Sequence, residues 1–582
     1  MKKKKVIFLG VIGVSVVILC IGLILSKNKN KLERDKDKEF ASGTKIEIEE
    51  VSSEQKESLY KLCKVWGYVK YRHPDIIEGE INWDAELFRV MPEILQSENQ
   101  ENTNKILYDW LKKFPFEEKT DKKAEEYLTY PQKDNVGEPE SKWIYDEQFL
   151  DKDVSNYLQK LSKTFIGERK NAYASFYDNQ PLTFFTNEKN YPLREDDDGM
   201  KLLSLFRFWN IYEYYSPNVQ IVRKDWDEVL KEEIHRMVQT KTYREYALVI
   251  AEMAAQTGDP HLEVIDNEDI LINFYGKYYL QCELMYVENK VIINQVGKDE
   301  KNLKVGDILL SIDGIELEKR IKELKKYKAI PEEDKFVAKI KYQLMQTEGK
   351  TSEVIVLRDG EEKKLKVNTS EEPYMYENPQ KNGFIEEEKI GYIDPSALKE
   401  GDLEKLMEKF ADTEGIIVDL RYYPSSVIAY SMAEYINPEM KEVLQFVFPN
   451  PAVPGRYYAI PMSVGKGMMK DKEYPQYSGK VILLMDERSV SQSETTIMSL
   501  RQSPNAVVIG SESRGANGDL VEVKLPGDLR INMSGLGVYT PEGEQTQRVG
   551  LKPDIEIFPT IQGIKEGRDE LIEKGIEEIL NN

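Results

Sequence analysis

The residues best suited to chemistry in this 582-residue chain form the run Asp486-Glu-Arg-Ser-Val-Ser491-Gln-Ser-Glu494. It falls between a buried-strand pattern, Lys480-Val-Ile-Leu-Leu-Met-Asp486, and a helical one from Ser493 to Leu500. A serine at such a junction stands at the carboxyl edge of a sheet, with the amino end of a helix behind it. The first N–H groups of a helix have no intrahelical acceptor and favour negative charge. That environment suits the oxyanion of an acyl transfer to a serine hydroxyl. The same letters also spell a capping box, with Ser491 or its neighbour capping the helix and Glu494 returning the bond. The run alone leaves both readings open.

Three histidines are available as proton carriers. His73 precedes Pro74 and reads as the end of a helix. His235 lies within a helical pattern and reads as packing or surface. His261 closes Gly258-Asp-Pro-His261, just before a strand pattern. An imidazole titrates near neutral pH and can take and return a proton, although a structural histidine at a strand start is the plainer reading of His261 by itself. The three cysteines, Cys20, Cys63 and Cys282, have no metal-ligand spacing and make no disulfide framework. A zinc enzyme built on clustered His and Cys is therefore not expected, and neither metal nor cofactor is called for.

The elements that must position these groups fit a chain long enough for three to four domains at about 150 residues each. Hydrophobic residues make up 40% and aromatics 10%, so large cores can form and global disorder is excluded. With 81 Lys and Arg against 103 Asp and Glu, the net charge is −22, which argues against nucleic acid as a partner. Lys2 to Lys5 precede an apolar run from Val6 to Leu25. Twenty helical residues span about 30 Å, the thickness of a bilayer core. Residues 1–26 are accordingly expected to be a transmembrane signal anchor, single-pass in the cell membrane, with the bulk of the chain extracytoplasmic. Residues 27–52 read as a polar tether.

An internal repeat follows. Trp66, Tyr71, Pro74, Trp83 and Asp84 recur at the same internal spacing as Trp209, Tyr214, Pro217, Trp226 and Asp227. Each copy opens on an apolar helical pattern, the proline stands where a helix stops, and the second Trp-Asp opens the next helix. Two related helical hairpins within a helical region, 53–269, are expected, their aromatics serving as core. From about 270 to 370 the pattern changes to short alternating strands around Gly306-Asp-Ile-Leu-Leu-Ser-Ile-Asp-Gly314. That element resembles PDZ domains, which capture extended chain ends by strand addition. Residues 383–582 alternate strand and helix, which implies an α/β layer with a mostly parallel sheet.

Taken together, Ser491-Gln-Ser-Glu494, Ala506-Val-Val-Ile-Gly-Ser-Glu512 and Gly550-Leu-Lys-Pro-Asp-Ile-Glu556 resemble the serine peptidase family of the C-terminal processing proteases and the tricorn protease core. Asp419-Leu-Arg-Tyr-Tyr-Pro-Ser425 is similar to that family's Asp-Leu-Arg-x-Asn-x-Gly-Gly strand end, and Gly258-Asp-Pro-His261 to the Asp-x-His segment of the tricorn-like branch. The resemblance covers about 200–565. It implies an α+β multidomain chain with a crotonase-like catalytic domain, a PDZ-like β domain and N-terminal helical repeats. It makes Ser491 the nucleophile, His261 the base, and the N–H of Gln492 one oxyanion donor. The second donor would come from the turn near Ser425, where the family usually has glycine. Ala516 stands where a Ser–Lys dyad would need its lysine, which favours the histidine branch. Pro260 replaces the serine that usually precedes the histidine. Glu544 is the nearest candidate for the carboxylate that orients the base. The implied activity is a serine peptidase hydrolysing unfolded or C-terminally exposed polypeptides. A catalytically inactive, peptide-binding scaffold is the alternative that the altered positions leave open.

Overall fold

The computed structural model describes residues 32–137, 141–177, 180–330, 332–469 and 473–581. Both repeats are helical. Ser53–Lys70 and Trp83–Leu95 form the helices of the first hairpin, Asp198–Tyr215 and Trp226–Gln239 those of the second. Each hairpin is pinned by a reciprocal tryptophan pair. The Trp66 indole N–H donates to the Trp83 carbonyl (3.0 Å) and Trp83 returns the bond to Trp66 (2.9 Å). Trp209 and Trp226 do the same at 2.8 and 3.2 Å. Buried indoles need a partner for their one donor, and here each finds it in the other's backbone.

The hairpins then exchange charges. Lys64 of the first reaches Asp227 of the second at 2.8 Å, while Arg207 of the second reaches Asp84 of the first at 2.9 Å. Lys70 and Glu188 complete the inner cluster, in which the side chains of Lys70, Asp84, Glu188 and Arg207 are all fully buried. Two cations and two anions balance there, which is what lets charged groups remain in a dry core.

The first helices of the two hairpins meet where Gly67 faces Asn210, whose amide donates to the Cys63 carbonyl at 3.1 Å. A Cβ at position 67 would overlap the Asn210 amide. Gly→Ala inside a helix is ordinarily favourable by up to about 1 kcal/mol, but overpacking costs about 1–3 kcal/mol. Gly67→Ala is therefore expected to destabilise the helical region by about 1–2 kcal/mol, seen as a lower urea midpoint of its far-ultraviolet transition.

Residues 32–52 do not form a free tether. Ile46, Ile48 and Val51 are buried. Thr44 donates its N–H to Asp197 (2.7 Å) and Ile48 to Asp198 (2.8 Å), both at the start of the helix Asp198–Tyr215. The strand-like alternation of the isoleucines thus packs on the repeat region.

The last third contains a six-stranded sheet in the order Gly383–Ile385, Ile390–Ile393, Gly415–Asp419, Lys480–Met485, Ala506–Gly510, Ile555–Glu556. All its pairings are parallel except the first. Alternate side chains face opposite layers. Ile417, Ile482 and Leu484 pack against the C-terminal helix Glu570–Leu580, through Leu571 and Ile579. Ile416, Val418, Val481 and Leu483 join the main core with Ile497 of the helix Gln492–Leu500. Burial on both faces explains why these strands read as continuous apolar runs.

Between the helical region and this sheet, a second module carries an eight-stranded sheet. Its edge strand Cys282–Val287 pairs on one side with Lys290–Val296 and lies beside the helix Glu333–Leu344.

Among the described residues no helix is long and apolar enough to cross a membrane. The expected single-pass membrane placement with an extracytoplasmic body is therefore corrected: nothing described carries it. The anchor expected over 1–26 lies outside the described residues.

Candidate active site

Ser491 stands immediately before the helix Gln492–Leu500, with φ 53° and ψ −111°. A non-glycine residue in that region of backbone space is strained and must be held there by its surroundings. The holding group is Glu494, which is fully buried. One of its carboxylate oxygens accepts the Ser513 hydroxyl (2.5 Å) and the Gly515 N–H (2.8 Å). The other accepts the N–H of Ala516 (3.0 Å) and of Ser491 itself (3.2 Å). The Ser491 N–H also donates to the Ala516 carbonyl at 2.8 Å. Glu494 thus ties the turn 513–516 to the serine. Burial raises its carboxyl above the ordinary value in spite of the four donors, which act in the opposite sense.

In Glu494→Gln an amide nitrogen must face two of those donors. Two bonds go, and buried N–H groups are left unpaired. A loss of about 2 kcal/mol of stability is expected, read from the urea midpoint of the catalytic module, together with release of the Ser491 backbone from its strained geometry.

Upstream, the turn is built by Ser489, whose hydroxyl donates to the Leu420 carbonyl at 2.9 Å, and by Arg488, which pairs with Asp486. Glu487, buried beside Asp486, is pushed up to about 8, first by burial and then by that neighbouring charge.

His261 arrives from the helical side, just before the strand Glu263–Ile265, which pairs with Leu529–Ser534. Its backbone N–H donates to Asp259 at 2.9 Å. Asp259 is fully buried and also accepts from the Gln547 amide at 2.5 Å. The Gln547 carbonyl oxygen in turn accepts the N–H of Asn517 at 3.0 Å. The imidazole lies against the backbone of Asn517, one residue past the carbonyl that holds Ser491. Burial lowers its value below that of an ordinary histidine; Asp259 opposes the shift and Lys339 adds to it. Nδ1 of the ring is buried and has no hydrogen-bond partner among the described residues.

The other expected site residues fare differently. Gln492 is the first residue of its helix, so its N–H has no acceptor within it. Ser425 cannot serve as the second oxyanion donor. Its N–H donates to the Pro395 carbonyl at 3.1 Å, and its hydroxyl donates to the carbonyls of Pro395 (3.1 Å) and Leu398 (2.6 Å). Glu544 is also corrected. It sits exposed on a turn where its carbonyl accepts the Thr540 N–H, and no hydrogen bond or ion pair joins it to His261 among the described residues. Ala516 is fully buried, which leaves no side-chain base at that turn. His73 is buried against Phe116 at a helix start, and His235 hydrogen-bonds Gln239 on the surface. Among the described residues no cluster of three or more His, Cys, Asp or Glu could hold a metal ion.

Sequence reasoning missed Asp259 and Gln547. Asp259 lies in the histidine's own motif. Gln547 occupies the stretch where a glutamate would be sought, and its role emerges only when residues 259, 517 and 547 meet.

Residues 389–557 match the family model "Peptidase family S41". The chain carries an S41 peptidase domain. That match makes it a serine-type peptidase, a hydrolase, and the family implies polypeptide substrates. The chain resembles in fold the structure of mature CPAF, at 13% identity and a TM-score of 0.53, over 66% of this chain and 98% of that one. Mature CPAF complexed with lactacystin aligns similarly, at 13% identity and a TM-score of 0.51, over 66% and 99%. The photosystem II D1 C-terminal processing protease aligns at 13% identity over 63% and 96%, with a TM-score of 0.39. No curated protein matches by sequence. The S41 domain's matched limits enclose Ser491, Glu494 and the turn 513–518, while His261 is supplied from outside them.

Proposed function

We propose that this S41 peptidase cleaves unfolded or C-terminally exposed polypeptides with Ser491 as nucleophile and His261 as general base. The observation that carries this reading is the shared turn: Ala516 accepts the Ser491 N–H, and the His261 ring rests on Asn517. That shared turn supports a meeting of the hydroxyl and the imidazole, which come from residues far apart in sequence.

The Ser491 oxygen attacks the peptide carbonyl carbon while His261 takes its proton. The tetrahedral oxyanion forms beside the Gln492 N–H at the helix terminus, where the helix end favours negative charge. The imidazolium then protonates the departing amine as the C–N bond breaks. Water attacks the acyl-serine as its proton passes to His261, the ester C–O bond breaks while the imidazolium returns that proton to the Ser491 oxygen, and the acid product leaves. A neutral imidazole is required at the outset, and the lowered value of His261 supplies it near neutral pH. With Ser425 committed elsewhere, the second donor belongs to another N–H of the turn after Arg421.

The catalytic sheet is read as crotonase-like and the second module as PDZ-like. The outer edge of Cys282–Val287, unpaired among the described residues and beside the helix Glu333–Leu344, supports the latter, since an extended chain could add there as a strand. A groove at that edge is lined by Glu283, Met285, Tyr286, Lys341, Glu487 and Arg488, the last two from the turn leading to Ser491. The test is hydrolysis of a reduced, alkylated and dye-labelled polypeptide by wild type and Ser491→Ala. Cleavage by the first alone is expected; equal cleavage by both would overturn the assignment.

A further inference from the structure

Resting on the reading of Ser491 and His261 as the reacting pair, we propose that Lys339 is a positioning residue, which holds His261 in register with Ser491 by gripping the backbone on both sides of it. Lys339 lies on the helix Glu333–Leu344 of the second module, not in the matched peptidase domain. Its ammonium donates to the carbonyl of Pro260 at 2.6 Å and to that of Leu262 at 3.2 Å, the two residues flanking the histidine. It also pairs with Glu263 at 2.8 Å, and its side chain is only 9% exposed. Lys328 takes the other oxygen of Glu263 at 2.6 Å, which fixes that carboxylate from a second direction.

The grip matters because the ring meets the Asn517 backbone but has no carboxylate partner behind it among the described residues. Nδ1 of His261 is buried without a partner among these residues, so none of their carboxylates orients the imidazole from behind. Ring placement then depends on the backbone that carries it as well as on Asn517. Asp259 holds the histidine's N–H, and Lys339 holds the carbonyls before and after. Three charge-assisted bonds fix the two peptide units Pro260–His261 and Leu262–Glu263, each such bond being stronger than a neutral one. Pro260 removes one donor from the segment and restricts its backbone, which leaves the two carbonyls as the available handles.

The charged groups facing the ring are Asp259, Glu263 and Lys339. Lys328 and Arg514 act in turn on Lys339. Burial is the main reason that the imidazole stays neutral, and the ammonium reinforces it. Removing that cation favours the imidazolium, so the group must titrate at higher pH.

The experiment compares wild type with Lys339→Met, Lys339→Arg, His261→Ala and Ser491→Ala in the full chain, using an alkyl fluorophosphonate as probe. Its reaction rate at saturation and its half-saturation concentration are measured from pH 4.5 to 9 on the fraction of protein that an active-site titration shows to be folded and reactive. Lys339→Met is expected to lose about 100-fold in the saturated rate with little change in half-saturation, the cost of misplacing a reacting group by about 1 Å. Its acid limb should move to higher pH. Lys339→Arg should recover most of the rate and the wild-type limb. A Lys339→Met rate within about threefold of wild type, with an unmoved limb, would overturn the proposal while His261→Ala and Ser491→Ala remain inert. Undiminished labelling of His261→Ala or Ser491→Ala would instead overturn the reading of the reacting pair.

Discussion

Ser491→Ala is expected to lower kcat for peptide hydrolysis by about a millionfold, with KM little changed. The hydroxyl is the only atom lost, and it forms the bond that defines the acyl intermediate. What survives is the modest rate from the helix terminus and substrate binding alone. The fold should not suffer: the position is partly exposed, its backbone is fixed by Glu494 and Ala516 rather than by its side chain, and alanine retains the Cβ. Single-turnover cleavage with enzyme in excess provides the check, together with an unchanged urea midpoint.

His261→Ala is expected to fall about as far, because serine and base act as one unit. The double variant should fall no further, and that non-additivity separates a shared machine from two independent defects. The pH profile carries the same claim. Burial holds His261 below the ordinary histidine value of 6.5, with Lys339 acting in the same direction. The neutral form is the competent base. Activity should therefore be flat through neutral pH and be lost as pH falls through that lowered value, so the acid limb of kcat/KM lies below 6.5. A limb above it would mean that the imidazolium is stabilised and that another group acts as base.

Much of the catalytic framework was legible from the chain alone. Ile416, Ile417 and Val418, like Val481 to Leu484, are buried on both sheet faces, so their strands announce themselves as unbroken apolar runs. The repeat was legible because each tryptophan pair closes within a short stretch, 17 residues apart in both copies. What escaped is what depends on distant partners. Residues 32–52 are polar by composition, yet Ile48 is anchored on Asp198, 150 residues away. Ser425 stands at a motif position where glycine gives a free N–H, but the Pro395 carbonyl claims it. Glu544 is the nearest match to the glutamate that the resemblance implies, whereas the bridge to the histidine loop is made by the neutral Gln547. The strained backbone of Ser491 leaves no mark in its own neighbours; it follows from a carboxylate three residues on and a turn formed more than twenty residues later.

The central claim is that one hydroxyl and one imidazole, brought from opposite sides onto the turn 516–517, form the reacting pair. Fluorophosphonate labelling followed by mass-spectrometric mapping of the modified peptide tests it most directly. A single adduct on Ser491, formed at a rate that falls as His261 becomes protonated and absent from His261→Ala, is the predicted result. An adduct on any other residue, or one on Ser491 that forms equally well without His261, would contradict it.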